Sequence, residues 1–238
     1  MKRFFFITVL FIGIFSFSQE RISKKVGDFN AIKVFSGLHV KLIKDTQNRV
    51  EVKGPQSEAV IIKNVNGLLK FSVKLPEVFE ADNTLIKLYY TNDFDFIDAN
   101  EGAIVTSKNQ ITQDYLELRV QEGAHIELKL QVDILKIKAV TGGVISLLGQ
   151  ANVQNILVNT GGVYEGFTLS AKKTTAIAST GGEAEIFTTD FLKATAKLKG
   201  IIIYKIKPKK LVKKEVLGGE VHYIKNYTNS DGSLIYNN

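Results

Sequence analysis

The stretches TGGVISL from Thr141, TGGVYEG from Thr160 and TGGEAEI from Thr180 are three versions of one phrase. Looser versions stand on either side: EGAIVTS from Glu101, EGAHIEL from Glu122, KGIIIYK from Lys199 and LGGEVHY from Leu217. The leading glycines Gly102, Gly123, Gly142, Gly161, Gly181, Gly200 and Gly218 are separated by 21, 19, 19, 20, 19 and 18 residues. A period near 20 residues is the mark of stacked coils, each burying its apolar face against its neighbours.

Columns read from the leading glycines give each coil an inside and an outside. Three places on stand Val105, Ile126, Ile145, Tyr164, Ala184, Ile203 and Val221, all apolar and expected to face a core. Leu118, Ile137, Ile156 and Ala176 form a second inward column. The places two and four beyond each glycine are mixed, as an outward face should be when side chains alternate with period 2. They hold His125, Val144, Val163, Glu183, Ile202 and Glu220 in one column, and Thr106, Glu127, Ser146, Glu165, Glu185, Tyr204 and His222 in the other. Strands of successive coils should pair in parallel about 4.8 Å apart. Thr141, Thr160 and Thr180 should stack as a hydroxyl ladder beside the glycines.

No long segment has helical periodicity, so the fold class is all-β: a parallel β-helix-like solenoid with about 20 residues per coil. One solenoid domain is expected over residues 19–238, with wider, less regular coils capping the stack over 19–90 and the regular glycine-marked coils over 91–238. Within the first part, Lys44 to Asn48 and Val65-Asn66-Gly67 read as turns.

The chain has 238 residues, 45% of them hydrophobic, enough for a sizeable core. Lys2 and Arg3 precede an uncharged apolar run from Phe4 to Phe15, and small residues follow at Ser16 and Ser18. That order reads as a signal peptide over residues 1–18, and hence as export to the periplasm, outer surface or medium of a bacterium. No later stretch is long and apolar enough to span a membrane. The sequence contains no cysteine, so neither disulfides nor a lipid-modified cysteine are available. The formal net charge of +7 falls to +5 without Lys2 and Arg3. Export disfavours nucleic acid as a partner and favours an anionic glycan or lipopolysaccharide.

Few catalytic arrangements fit. The three histidines are scattered, with His125 and His222 five coils apart. The TGG phrase lacks the ending of a phosphate loop, no nucleophile elbow occurs, and no cofactor is expected. Glu165 and Glu185 fall in the same outward column of neighbouring coils, a spacing near that of retaining glycosidase carboxylates. Asp93 and Asp95 would share a strand face and are the alternative metal ligands. Lys193, Lys197, Lys199, Lys205, Lys207, Lys209, Lys210, Lys213 and Lys214 form a cluster suited to acidic polymers, or to guarding exposed sheet edges.

The run FNAIKVFSGLHVKLIKDTQNRVEVKGP from Phe29, the segment NGLLKFSVK from Asn66, the stretch LIKLYYTNDFDFIDANEGAIV from Leu85 and the TGG coils together resemble the putative auto-transporter adhesin, head GIN domain family of exported bacterial proteins. The resemblance covers almost all of the chain beyond residue 18. It implies a right-handed parallel β-helix at the cell envelope and carries no catalytic residues. The apolar run Ile201-Ile202-Ile203 after Gly200 departs from the small residues the family tends to place there.

The expected function is that of an exported, non-enzymatic β-solenoid for adhesion to glycan or envelope components. One alternative is a polysaccharide lyase or hydrolase using Glu165 and Glu185. The other is a structural subunit forming homo-oligomers through Val144, Val163 and Ile202.

Overall fold

Alternating apolar and polar residues become strands, and the strands wind into coils. The computed structural model describes residues 21–54, 57–74, 84–224, 226–228 and 234–236; the signal peptide expected over 1–18 lies outside them. The regular part runs through β10 (Ile111–Val120), β11 (His125–Val140), β12 (Val144–Asn159), β13 (Val163–Ser179) and β14 (Glu183–Lys197), each paired in parallel with the next. Ile126 lies beside Ile145 and Ile137 beside Ile156, so one strand spacing corresponds to one glycine interval. The result is a β-solenoid of about 7 turns, roughly 19 residues apart.

Each corner is a tight turn with two successive left-handed residues. Thr141 and Gly142 have φ of 50° and 72°, Thr160 and Gly161 50° and 70°, and Thr180 and Gly181 50° and 71°. The N–H of the following residue donates back across the turn, Gly143 to the Val140 carbonyl at 3.0 Å and Gly162 to the Asn159 carbonyl at 3.0 Å. The two glycines of the phrase serve different needs. A Cβ at Gly161 would meet nothing within 4 Å, so that position needs only the left-handed backbone. A Cβ at Gly162 would lie 2.1 Å from the Ala139 carbonyl oxygen, so that position needs the missing atom. The bonds running from coil to coil at this corner are backbone ones, from Gly142 N–H to the Thr160 carbonyl and from Gly161 N–H to the Thr180 carbonyl, each 3.2 Å. They take the place of the expected hydroxyl ladder.

The inward columns match expectation with one slip. Val105, Ile126, Ile145, Tyr164 and Ala184 are all 0% exposed, as are Leu118 and Ala176. In the next coil Gly200 stands where the second glycine of the phrase belongs, and Lys199, with φ of 60°, stands where the first belongs. Ile202 therefore pairs with Ala184 and is fully buried, whereas Ile203 pairs with Glu185 on the outside. Tyr204 is buried as well, in register with Ile186. The outward apolar column thus contains Val144, Val163 and Ile201 in place of Ile202.

The strands before Tyr90 do not stack in chain order. β2 (Ala31–Val34) lies between β6 (Leu68–Val73) and β8 (Phe96–Ala99), and β3 (His39–Lys44) lies between β7 (Leu85–Tyr90) and β9 (Ile104–Ser107), all in parallel. Beyond them three strands turn antiparallel: β4 (Arg49–Lys53) on β7, β1 (Arg21–Lys25) on β4, and β5 (Val60–Val65) on β6. Asn66 and Gly67, with φ of 51° and 81°, make the β5–β6 hairpin turn. Ser36 and Gly37 repeat the solenoid corner between β2 and β3, and Gly37 N–H donates to the Glu101 carbonyl at 2.8 Å. At the other end β15 (Ile201–Tyr204) and β17 (Glu220–Tyr223) continue one side of the coil, and β16 (Lys210–Val216) continues the other on β14.

Candidate functional site

The stacking sorts charge onto separate faces. On the side built by β10 and the later halves of β11 to β14, three outward columns run in register. They are Tyr115, Ile134, Val153, Lys173, Phe191, Lys210; Glu117, Lys136, Asn155, Thr175, Lys193, Val212; and Arg119, Lys138, Leu157, Ile177, Thr195, Lys214. These columns hold seven cations and a single carboxylate, Glu117. On the other side, from β11 to β17, two outward columns are His125, Val144, Val163, Glu183, Ile201, Glu220 and Glu127, Ser146, Glu165, Glu185, Ile203, His222, and a third beside them holds Lys129, Leu148 and Thr168. The first two hold five carboxylates and two histidines.

The carboxylate on the basic face is committed to its neighbours. Glu117 accepts from Arg119 Nε at 2.6 Å and from the Tyr115 hydroxyl at 3.0 Å. Burial pushes its pKa up, but the bonds from Arg119 and Tyr115 and the charges of Arg119 and Lys136 outweigh that and hold it below its ordinary value. The Arg119 guanidinium also sits 4.8 Å from the centre of the Phe96 ring, and Lys136 Nζ lies 5.3 Å from that of Tyr115. Between the cations Leu157 and Ile177 are 37% and 36% exposed in adjacent strands. They border a shallow apolar groove of about 320 Å³ with Arg119, Lys136 and Lys138 around it.

The lysine cluster expected from sequence does not converge. Lys193, Lys210 and Lys214 lie in the basic columns, and Lys197 in the next column, in register with Ser179. Lys199 is in a corner turn. Lys205 lies over the Phe187 ring at 4.2 Å, Lys207 over Tyr223 at 5.3 Å, and Lys209 pairs with Asp190 at 3.0 Å. Lys213 is in register with the buried Ala194 and pairs with Glu215 at 3.5 Å. The face is completed instead by Arg119, Lys136, Lys138 and Lys173, which the sequence reading missed. Their signal was present: Arg119 and Lys138 are 19 residues apart, one coil, on the outward side of Leu118 and Ile137.

Glu165 and Glu185 do meet across neighbouring strands. The Ser146 hydroxyl donates to Glu165 Oε2. The Glu185 pKa is pushed up to about 7 by burial first, then by Glu165 and Glu183, with Lys205 opposing. Asp93 and Asp95 are exposed in the loop before β8 and share no strand face. Phe94 between them is buried edge-on to Tyr90, with ring centres 5.1 Å apart, and Asp93 pairs with Lys44 at 3.5 Å. Among the described residues no group of three or more histidine, aspartate or glutamate side chains is placed to hold a metal ion.

A third feature lies where β10 to β13 bend. There a groove of about 680 Å³ runs from coil to coil. One wall is the register row Thr112, Gln131, Gln150, Ser170, and the other carries Asp114, Asp133, Asn152 and Lys172. Its floor is the row Gln113, Val132, Ala151, Ala171. Asn152 Nδ2 donates to Asp133 Oδ1 at 2.5 Å and Gln110 Nε2 to Gln131 Oε1 at 3.0 Å. Gln113 is 9% exposed; its Nε2 donates to the Phe94 carbonyl at 2.8 Å, while its buried Oε1 has no partner among the described residues. The sequence reading also missed this groove, although its polar walls recur at the coil period.

Residues 28–208 match the family model described as putative auto-transporter adhesin, head GIN domain. Among solved structures, a putative adhesin from Bacteroides fragilis superposes with a TM-score of 0.78 at 18% identity, covering 88% of this chain and 98% of that one. A putative adhesin from Parabacteroides distasonis gives 0.66 at 22% identity, with 87% and 98% covered. A protein from the same species described as a putative lipid binding protein gives 0.63 at 18%, with 88% and 98% covered. At these identities the likeness is one of fold. No curated protein matches the chain.

Proposed function

This chain belongs to the putative auto-transporter adhesin, head GIN domain family, and from that premise we propose that it is an exported, non-enzymatic binding module whose basic sheet face holds an anionic polymer of the bacterial envelope. The observation that carries this reading is the segregation of charge: seven cations against Glu117 on one face, five carboxylates on the other. A sheet face with cations on five of its six strands, all but β12, suits an extended polyanion, because each contact is weak and the contacts act together. Leu157 and Ile177 within that face favour a second reading, in which the polymer is lipid-linked, as in lipopolysaccharide. The fold likeness to a protein described as lipid binding supports the same reading.

The test is retention of the protein on anionic glycans and lipopolysaccharide at low and moderate salt, with reducing ends assayed on every ligand that binds. Salt-sensitive retention without cleavage, weakened by Lys136→Glu with Lys138→Glu, is the expected result. Release of reducing ends, lost on Glu185→Gln, would replace the binding module with a hydrolase built on the Glu165–Glu185 pair. A defined homo-oligomer abolished by Val163→Lys, with no glycan retention, would replace it with a structural subunit.

A further inference from the structure

The polar groove at the bend of β10 to β13 borders the first basic column, since its wall residues Asp114, Asp133, Asn152 and Lys172 directly precede Tyr115, Ile134, Val153 and Lys173, yet it has the opposite chemistry. We infer that it is a second binding site, for an uncharged, hydroxyl-rich polysaccharide chain lying along the solenoid axis. Several observations converge on that ligand class. The groove is a real concavity of about 680 Å³ that continues across four strands, so it admits a chain rather than a single small molecule. Its walls present amides, hydroxyls and carboxylates at each coil, among them Thr112, Gln131, Gln150 and Asn152, which both donate to and accept from sugar hydroxyls. Its floor is narrow and apolar at Val132, Ala151 and Ala171, a surface that sugar C–H faces can cover. Asp93, Asp114 and Asp133 line it against one lysine, Lys172, so a polyanion is repelled here as it is attracted to the basic face. From the Thr112 strand to the Ser170 strand the groove spans roughly 14 Å at one strand spacing per coil.

This inference does not rest on the anionic reading of the basic face, and one set of proteins separates the two. Affinity for xylan, mannan and amylose, and for oligosaccharides of rising length cut from them, is measured by calorimetry at low and high salt. At least one chain is expected to bind with little dependence on salt, and affinity should rise with length and level off once the oligosaccharide outruns the groove. Gln131→Ala and Asn152→Ala remove wall amides and should each weaken binding about tenfold, the scale of one lost hydrogen bond. The pair Lys136→Glu with Lys138→Glu should leave it unchanged. Far-UV circular dichroism checks that each variant keeps its strands. The inference is overturned if none of the three polymers binds, if binding survives Gln131→Ala combined with Asn152→Ala, or if it follows salt and the Lys136 and Lys138 changes.

Discussion

Glu185 lies directly across from Glu165 in the β13–β14 register, on the outer face, with Glu183 two positions earlier on the same strand. Three carboxylates in one patch cannot all ionise without cost. With the Glu185 pKa pushed from 4.5 to about 7 by burial, Glu165 and Glu183, the folded chain binds more protons than the unfolded chain between those two values. Stability therefore falls as pH rises from about 4.5 to about 7 and stays lower above that. A tenfold difference in proton affinity between the folded and unfolded chain corresponds to about 1.4 kcal/mol, and screening at this half-buried site reduces the total to on the order of 1–2 kcal/mol. Urea midpoints should be higher at pH 5 than at pH 8 for the native chain, and Glu185→Gln should remove most of that difference. A pH 5 to pH 8 difference that is the same in Glu185→Gln as in the native chain would refute the coupling.

Lys199 and Gly162 test the two roles of glycine in the repeat. Lys199 has φ of 60°, and the equivalent residue one coil earlier is Gly181, with φ of 71°. A left-handed backbone costs a non-glycine residue about 1 kcal/mol, so Lys199→Gly should stabilise the chain by roughly that amount, read as a higher midpoint with an unchanged slope. Gly162→Ala should do the opposite and more strongly. Its Cβ would lie 2.1 Å from the Ala139 carbonyl oxygen, which forces the two coils apart at a cost of about 3 kcal/mol.

The coil period, the corner glycines and the inward columns were legible in the sequence because each is a local pattern repeated at fixed spacing. The slip at Lys199 arose because Gly200 was aligned by identity with the first glycine of the phrase, whereas the backbone uses it as the second. That single shift exchanged the roles of Ile202, Ile203 and Tyr204. The insertion of β2 and β3 between later strands was not legible, since pairing between distant strands leaves no mark in either one. The basic face escaped notice for a related reason. Lysines clustered along the chain, such as Lys205, Lys209 and Lys213, point to different places, whereas Arg119, Lys138 and Lys214, far apart in sequence, share one column.

Charge reversal on that face should act where charge reversal elsewhere does not. Lys136→Glu with Lys138→Glu takes two of the seven cations from the basic face and sets one new carboxylate beside Glu117 and another beside Arg119. On a heparin column the variant should elute at clearly lower salt than the native chain. Lys129→Glu, an exposed change beyond the three basic columns, alters net charge by half as much and should shift elution only slightly. Shifts in simple proportion to net charge would show that retention has no preferred face.

A polar chain whose members depend on each other runs through the interior of the described residues. The Tyr164 hydroxyl donates to Gln154 Oε1 at 3.0 Å, Gln154 Nε2 donates to Thr174 Oγ1 at 2.9 Å, and Thr174 bonds in turn to Thr188. Tyr164 and Gln154 are 0% exposed, and Thr174 and Thr188 1%. Burial drives the Tyr164 pKa far above its ordinary value, so the hydroxyl stays protonated and remains a donor. Above and below, the Gln154 column continues as Leu135 and Leu192, so no other polar group in that column is placed to replace a lost partner. Tyr164→Phe strands the Gln154 carbonyl oxygen, and Gln154→Leu strands the Tyr164 hydroxyl while leaving Thr174 its bond to Thr188, each at about 1–3 kcal/mol. The double variant removes donor and acceptor together and should cost less than the two single changes combined, by on the order of 1 kcal/mol. Strict additivity in that double-mutant cycle, read from urea unfolding, would mean that the two groups do not depend on one another.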